Sequence, residues 1–81
     1  PYRVELRKMT WEELRQAPVP ALVSMEWATL TGHMSVLLCF ERQGKEDYVW
    51  LGDPAKERYI LRKSQFLERW YGFAILIAPT E

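Results

Sequence analysis

His33 and Asp53 are the residues whose types and spacing best suit chemistry. A carboxylate beside an imidazole fixes the ring's tautomer through a hydrogen bond and stabilises the imidazolium, which a general base activating a thiol or hydroxyl requires. Between them lies Arg42 to Glu46, a charged stretch with Gly44 and the length of a hairpin loop. Paired residues in an antiparallel hairpin have a constant sum of positions, so a turn centred near Gln43 or Gly44 sets His33 opposite or nearly opposite Asp53. That register also pairs Ser35 with Leu51 and Leu37 with Val49 on the same face, and Val36 with Trp50 and Leu38 with Tyr48 on the other. A slip of one residue would turn one strand's side chains over, so the inference depends on the turn.

The pair is two-thirds of a triad, and the nucleophile is missing. Cys39, the sole cysteine, lies six residues along the strand from His33, about 20 Å away at roughly 3.3 Å per residue. It reads instead as a buried, apolar-like thiol in a central strand. A structural reading of the pair competes with the catalytic one. Histidine after glycine at a strand start is commonly a hydrogen-bonded structural residue, and Gly52-Asp53-Pro54 is an ordinary turn sequence.

The elements that must hold these residues follow from periodicity. Pro1 to Lys8 alternates Tyr2, Val4 and Leu6 with charged residues, the pattern of a half-buried edge strand. Thr10 opens a capping box with Glu13, and Trp11 and Leu14 share a face of a short helix that stops before Pro18. Ala21 to Met25 reads as a buried strand, and Trp27 to Gly32 as a connection. His33 to Glu41 is nearly all apolar, as in a central strand covered on both faces. Asp47 to Gly52 returns as its partner, and Arg58 to Arg62 is a further short strand. Ser64 caps a helix through Tyr71 whose Phe66, Leu67 and Trp70 lie at i, i+1 and i+4, Gly72 stops that helix, and Phe73 to Ala78 forms the last strand. Several strands with two short helices between them predict an α+β domain with a mainly antiparallel sheet.

Composition narrows the function classes. With 81 residues the chain forms one domain, 1–81, with a small core that favours completion by a partner. It is 48% apolar and 14% aromatic, well above the composition of a disordered chain, and its four tryptophans imply bulky packing. Eleven basic residues balance eleven acidic ones, so net charge points to neither nucleic acid nor an anionic membrane. The longest apolar stretch, Phe73 to Pro79, is far short of the roughly 20 residues of a spanning helix, and no basic, apolar and small-residue succession marks a signal peptide. The expectation is a soluble protein. One cysteine and one histidine argue against a disulfide framework and against structural zinc, and no cofactor is implied.

Taken in order, Gly32-His33 with its apolar strand, Gly52-Asp53-Pro54, Ser64-Gln65-Phe66-Leu67-Glu68-Arg69-Trp70, Gly72 and a closing apolar strand resemble the carboxyl-terminal half of the double-glycine peptidases. These are papain-like cysteine peptidases at the front of bacteriocin-exporting transporters, with stand-alone and degenerate forms. Met9 to Leu14 and Pro18 to Leu22 resemble the family's helix and following strand, so the resemblance covers nearly the whole chain. It implies a papain-like half-domain in which His33 is the catalytic histidine and Asp53 the aspartate orienting it. It also implies a bacterial protein of the cytoplasm or periplasm. The family's nucleophilic cysteine and the glutamine before it lie on a helix upstream of the histidine, and these 81 residues do not contain them. The interval from His33 to Asp53 looks longer than the family's, which puts extra residues in an Arg42 to Asp47 loop.

Two functions are therefore expected. One is the His/Asp portion of a cysteine peptidase that cleaves peptide bonds when a separate segment or chain supplies the cysteine. The other is a catalytically inactive peptidase-like domain that holds a peptide or partner protein in the groove or at a sheet edge. Trp27, before His33, is a candidate wall for a substrate groove, with core packing as its competing role. The Lys56 to Lys63 charge cluster reads as solvated surface.

Overall fold

Alternating side chains, a capped helix and a tight hairpin generate the chain order β1 (Tyr2–Lys8), α1 (Trp11–Arg15), β2 (Ala21–Trp27), β3 (Leu30–Gln43), β4 (Glu46–Asp53), β5 (Lys56–Arg62), α2 (Lys63–Arg69) and β6 (Trp70–Pro79). The computed structural model describes residues 1–27, 30–53 and 56–79. The strands form one antiparallel sheet in the order β1-β6-β2-β3-β4-β5. With two short helices, this is the mainly antiparallel α+β architecture expected.

Both helices cover one face of the sheet, here the inner face. Thr10 caps α1 as the sequence predicts: its Oγ1 accepts from the Glu13 N–H at 3.2 Å, and the Glu13 carboxylate accepts from the Thr10 N–H at 2.9 Å. The cap aims Trp11 and Leu14 into the core. Trp11 meets Phe40 edge-on with ring centroids 5.5 Å apart, and Phe66 of α2 at 5.9 Å. Beneath them Val23, Met25, Leu37, Val49, Leu51 and Ala74 are fully buried. Arg15 ties α1 to the β3–β4 hairpin through Asp47 at 3.2 Å and lies over the Phe40 ring.

Several boundaries differ from expectation. α2 starts at Lys63, and the capping bond runs from the Arg62 N–H to Gln65 Oε1 at 3.0 Å, so Ser64 is inside the helix and not its cap. The helix ends at Arg69, because Trp70 is already extended. Its ring stacks on Phe66 at 5.4 Å. Gly72 lies within β6 at φ +91°, a conformation L side chains rarely adopt, and its carbonyl accepts from the Met9 N–H at 2.7 Å. Trp27 and Leu30 are paired strand residues, so the connection expected from Trp27 to Gly32 is mostly strand.

The apolar residues of β1 are not half-buried. Val4 pairs with Ile77 and Leu6 with Ile75 on the outer face, where no helix packs, and Tyr2, Val4 and Leu6 are exposed. Arg3, Glu5 and Arg7 alternate with them and pair among themselves. β3 is likewise covered by helices on its inner face alone.

Candidate active site

The β3–β4 hairpin turns through Gly44 and Lys45, with Gly44 at φ +62° and Gln43 paired with Glu46. Arg42, Gln43 and Glu46, expected in a loop, are paired strand residues, so the hairpin is longer and its turn tighter. Pairing runs Phe40 with Val49 and Cys39 with Trp50, then shifts by one at Leu38, so that Leu37 faces Leu51 and Val36 faces Gly52. Together with the later turn, this β-bulge overturns the expected pairs of Leu37 with Val49, Ser35 with Leu51, Val36 with Trp50 and Leu38 with Tyr48. Its physical reason is the core: with the extra residue, both Leu37 and Phe40 point inward, and Phe40 reaches Trp11.

The bulge and the later turn together move the register by an even number of positions, which preserves the face. Continuing one step beyond Val36 and Gly52, Asp53 lies across from Ser35, with His33 diagonal to it, still within reach of long side chains. His33 Nε2 and Asp53 Oδ2 are hydrogen-bonded. The Asp53 side chain is 4% exposed and that of His33 24%, so the carboxylate is enclosed while the ring keeps an accessible edge. An ionised carboxylate only accepts, so Nε2 is the donor in this bond. On its other side His33 pairs with Met25 of β2, which is fully buried.

Two further residues belong to this polar end of the inner face. Ser35 is fully buried, and its Oγ lies 3.3 Å from the Tyr59 hydroxyl. Tyr59 stands on β5 opposite Leu51. Burial raises its pKa first; the Asp53 charge raises it further, against the lowering effects of the Ser35 bond and Arg69. The phenol therefore stays protonated at neutral pH. Ser35 carried a readable signal, being the polar exception at an inward position of an apolar strand; Tyr59, in a charged stretch, carried none.

Cys39 is exposed on the outer face, not buried, because the bulge turns both Leu38 and Cys39 outward. With Leu38, Glu41, Trp50 and Arg58 it lines a shallow depression of about 370 Å³ on the side of the sheet opposite the dyad. Trp27 ends β2, and its side chain lies outside the described residues. Among the described residues no three His, Cys, Asp or Glu side chains converge as a metal site, and no helix is long and apolar enough to cross a membrane.

The family model described as the peptidase C39 family matches residues 2–81. No curated protein matches significantly. Among solved structures, a periplasmic domain of the EpsAB fusion protein of the Vibrio vulnificus type II secretion system superposes with TM-score 0.76 at 26% identity, over 96% of this chain and 32% of that one. The peptidase domain of Streptococcus mutans ComA, complexed with a small-molecule inhibitor, gives TM-score 0.75 at 22% identity, over 96% of this chain and 64% of its own. That of Streptococcus ComA, a bifunctional ABC transporter involved in a quorum-sensing pathway, gives 0.75 at 20%, over 98% and 58%. The chain thus spans 32% to 64% of the length of these structures. With its fold shared by peptidase domains and a family model matched along nearly its whole length, the chain belongs to the peptidase C39 family, the double-glycine peptidases that its motifs resemble.

Proposed function

We propose that this chain is the His/Asp-bearing portion of a double-glycine-type cysteine peptidase, with His33 as general base and Asp53 as the group that orients it. The observation that carries the proposal is the bond from His33 Nε2 to an almost fully enclosed carboxylate. In that role the imidazole takes the proton of an incoming thiol and returns it to the leaving amine, while Asp53 stabilises the imidazolium between the two steps. The thiol comes from outside these 81 residues, since Cys39 is the sole cysteine and faces the other side of the sheet. A separate segment or second polypeptide supplies it, and the substrate is a peptide or protein.

The test is cleavage of a leader peptide with a Gly-Gly junction by the chain combined with a cysteine-bearing helical segment of the family. His33→Ala should lower the rate by about 10²–10⁴-fold, the usual contribution of a general base. Equal rates would exclude His33 from that role.

A second reading is favoured by the likeness to the periplasmic domain of a secretion-system fusion protein at 26% identity. In it, the fold is kept to bind a peptide or partner without cleaving it. Saturable binding of the leader peptide, unaccompanied by cleavage when the cysteine segment is present, distinguishes this reading from the first.

A further inference from the structure

The strands on either side of the one that carries Asp53 hold a polar pair that the dyad alone does not require. Ser35, across from Asp53 on β3, occupies an inward position where the adjacent inward residues Leu37 and Leu51 are apolar and fully buried. A hydroxyl there is stable only if it is hydrogen-bonded, and its partner is the Tyr59 hydroxyl at 3.3 Å. That bond spans from β3 to β5 over β4, the strand that carries Asp53. Tyr59 in turn lies in the field of Asp53 and of Arg69 at the end of α2.

We propose that the Ser35–Tyr59 pair is a positioning device for the His33–Asp53 dyad, a hydrogen-bonded strap across the sheet that fixes the carboxylate's flank and directs its charge onto Nε2. In this role Ser35 and Tyr59 are positioning residues that act through Asp53. The strap joins strands that are not neighbours, so it resists the shear between β3 and β5 that would swing Asp53 off the imidazole. The enclosure of Asp53 strengthens this, because a carboxylate shielded from water interacts more strongly with the groups that hold it. The inference rests on the proposed role of the dyad but is read from the ring itself.

The test is the tautomer of His33 by ¹⁵N NMR of the imidazole in the 81-residue chain, where it is the sole histidine and gives an unambiguous signal. In the unmodified chain the neutral ring should carry its proton on Nε2. Tyr59→Phe keeps the ring packing and removes the hydroxyl; it should lower the ratio of the Nε2–H to the Nδ1–H form about fivefold, the effect of one hydrogen bond. Ser35→Ala should do the same from the other end, so the test does not depend on one variant folding. The double variant should be no worse than either single one. A purely structural role would lower the unfolding midpoint and leave the tautomer ratio unchanged in both variants, and that result overturns the proposal. Failure of the peptidase reading has a different signature: no cleavage with the cysteine segment present, while the tautomer still responds to Tyr59→Phe.

Discussion

On the inner face of the sheet Leu37, Val49 and Leu51 lie fully buried under the two helices, whereas on the outer face Ile60, Phe73 and Ile77 remain 36%, 40% and 46% exposed. Polar groups follow the same division. On the inner face they are joined in pairs of fixed geometry, His33 with Asp53 and Ser35 with Tyr59, because a buried polar atom without a partner is expensive. On the outer face Glu41 accepts from Gln43 and from Trp50 Nε1, and these bonds, that of Gln43 first, hold its carboxyl below the usual range. Water competes for every one of those contacts. Orientation is therefore cheapest to maintain on the covered face, and the proposed dyad sits where the cover ends and the ring edge opens.

Adjacent residues of β6 test this division most strongly. Leu76 is 7% exposed and Ile77 46%. Leu76→Ala should cost about 2–5 kcal/mol, the usual loss for a buried Leu or Ile. Ile77→Ala should cost about 1 kcal/mol, since only part of that side chain leaves water on folding. Urea unfolding of the two variants measures both, and equal losses would erase the distinction between the faces.

The cover itself can be weakened next. Thr10→Ala removes the hydroxyl that caps α1 and should cost about 1 kcal/mol in the same assay. Glu13, its reciprocal partner, is held below the ordinary carboxylate value by the Thr10 backbone N–H first and the Thr10 hydroxyl second. A depressed carboxyl stabilises the fold above its unfolded pKa and loses that contribution as pH falls through the lower folded value. Glu13→Gln should therefore flatten the acid limb of stability against pH and leave the slope near neutrality unchanged. An unchanged acid limb would remove Glu13 from the cap's energetics.

What was legible in the sequence follows the same division between local and non-local causes. The α1 cap, the strand pattern and the meeting of His33 with Asp53 rest on short-range chemistry, and they were readable. The hairpin register was not, because the bulge at Leu38 answers to Phe40 reaching Trp11 on a helix 29 positions earlier. The dyad survived that error because the turn and bulge displacements combine to an even shift. The exposure of β1 and of one side of β3 was also hidden, since an apolar alternation does not say whether anything covers the face it forms. Ser35 offered a hint and Tyr59 none, as their pairing depends on β5 lying two strands away.

The smallest effect belongs to Cys39, and it bears most directly on the bulge. In an unbroken ladder alternation would make neighbours along β3 face opposite sides, but the extra residue leaves Leu38 and Cys39 both on the outer face. An outward thiol in a shallow depression exchanges freely with reagent and contributes little packing. Cys39→Ser should change stability by less than about 0.5 kcal/mol, as surface substitutions do. Native-state labelling with a thiol reagent should proceed within roughly tenfold of the rate in denaturant, because reactivity follows exposure. A thiol on the inner face would be reached only through opening of a core strand, slowing the reaction by about 10³-fold or more. Protection of that size would remove the bulge from β3, and with it the even register shift that brings Asp53 to the face of His33.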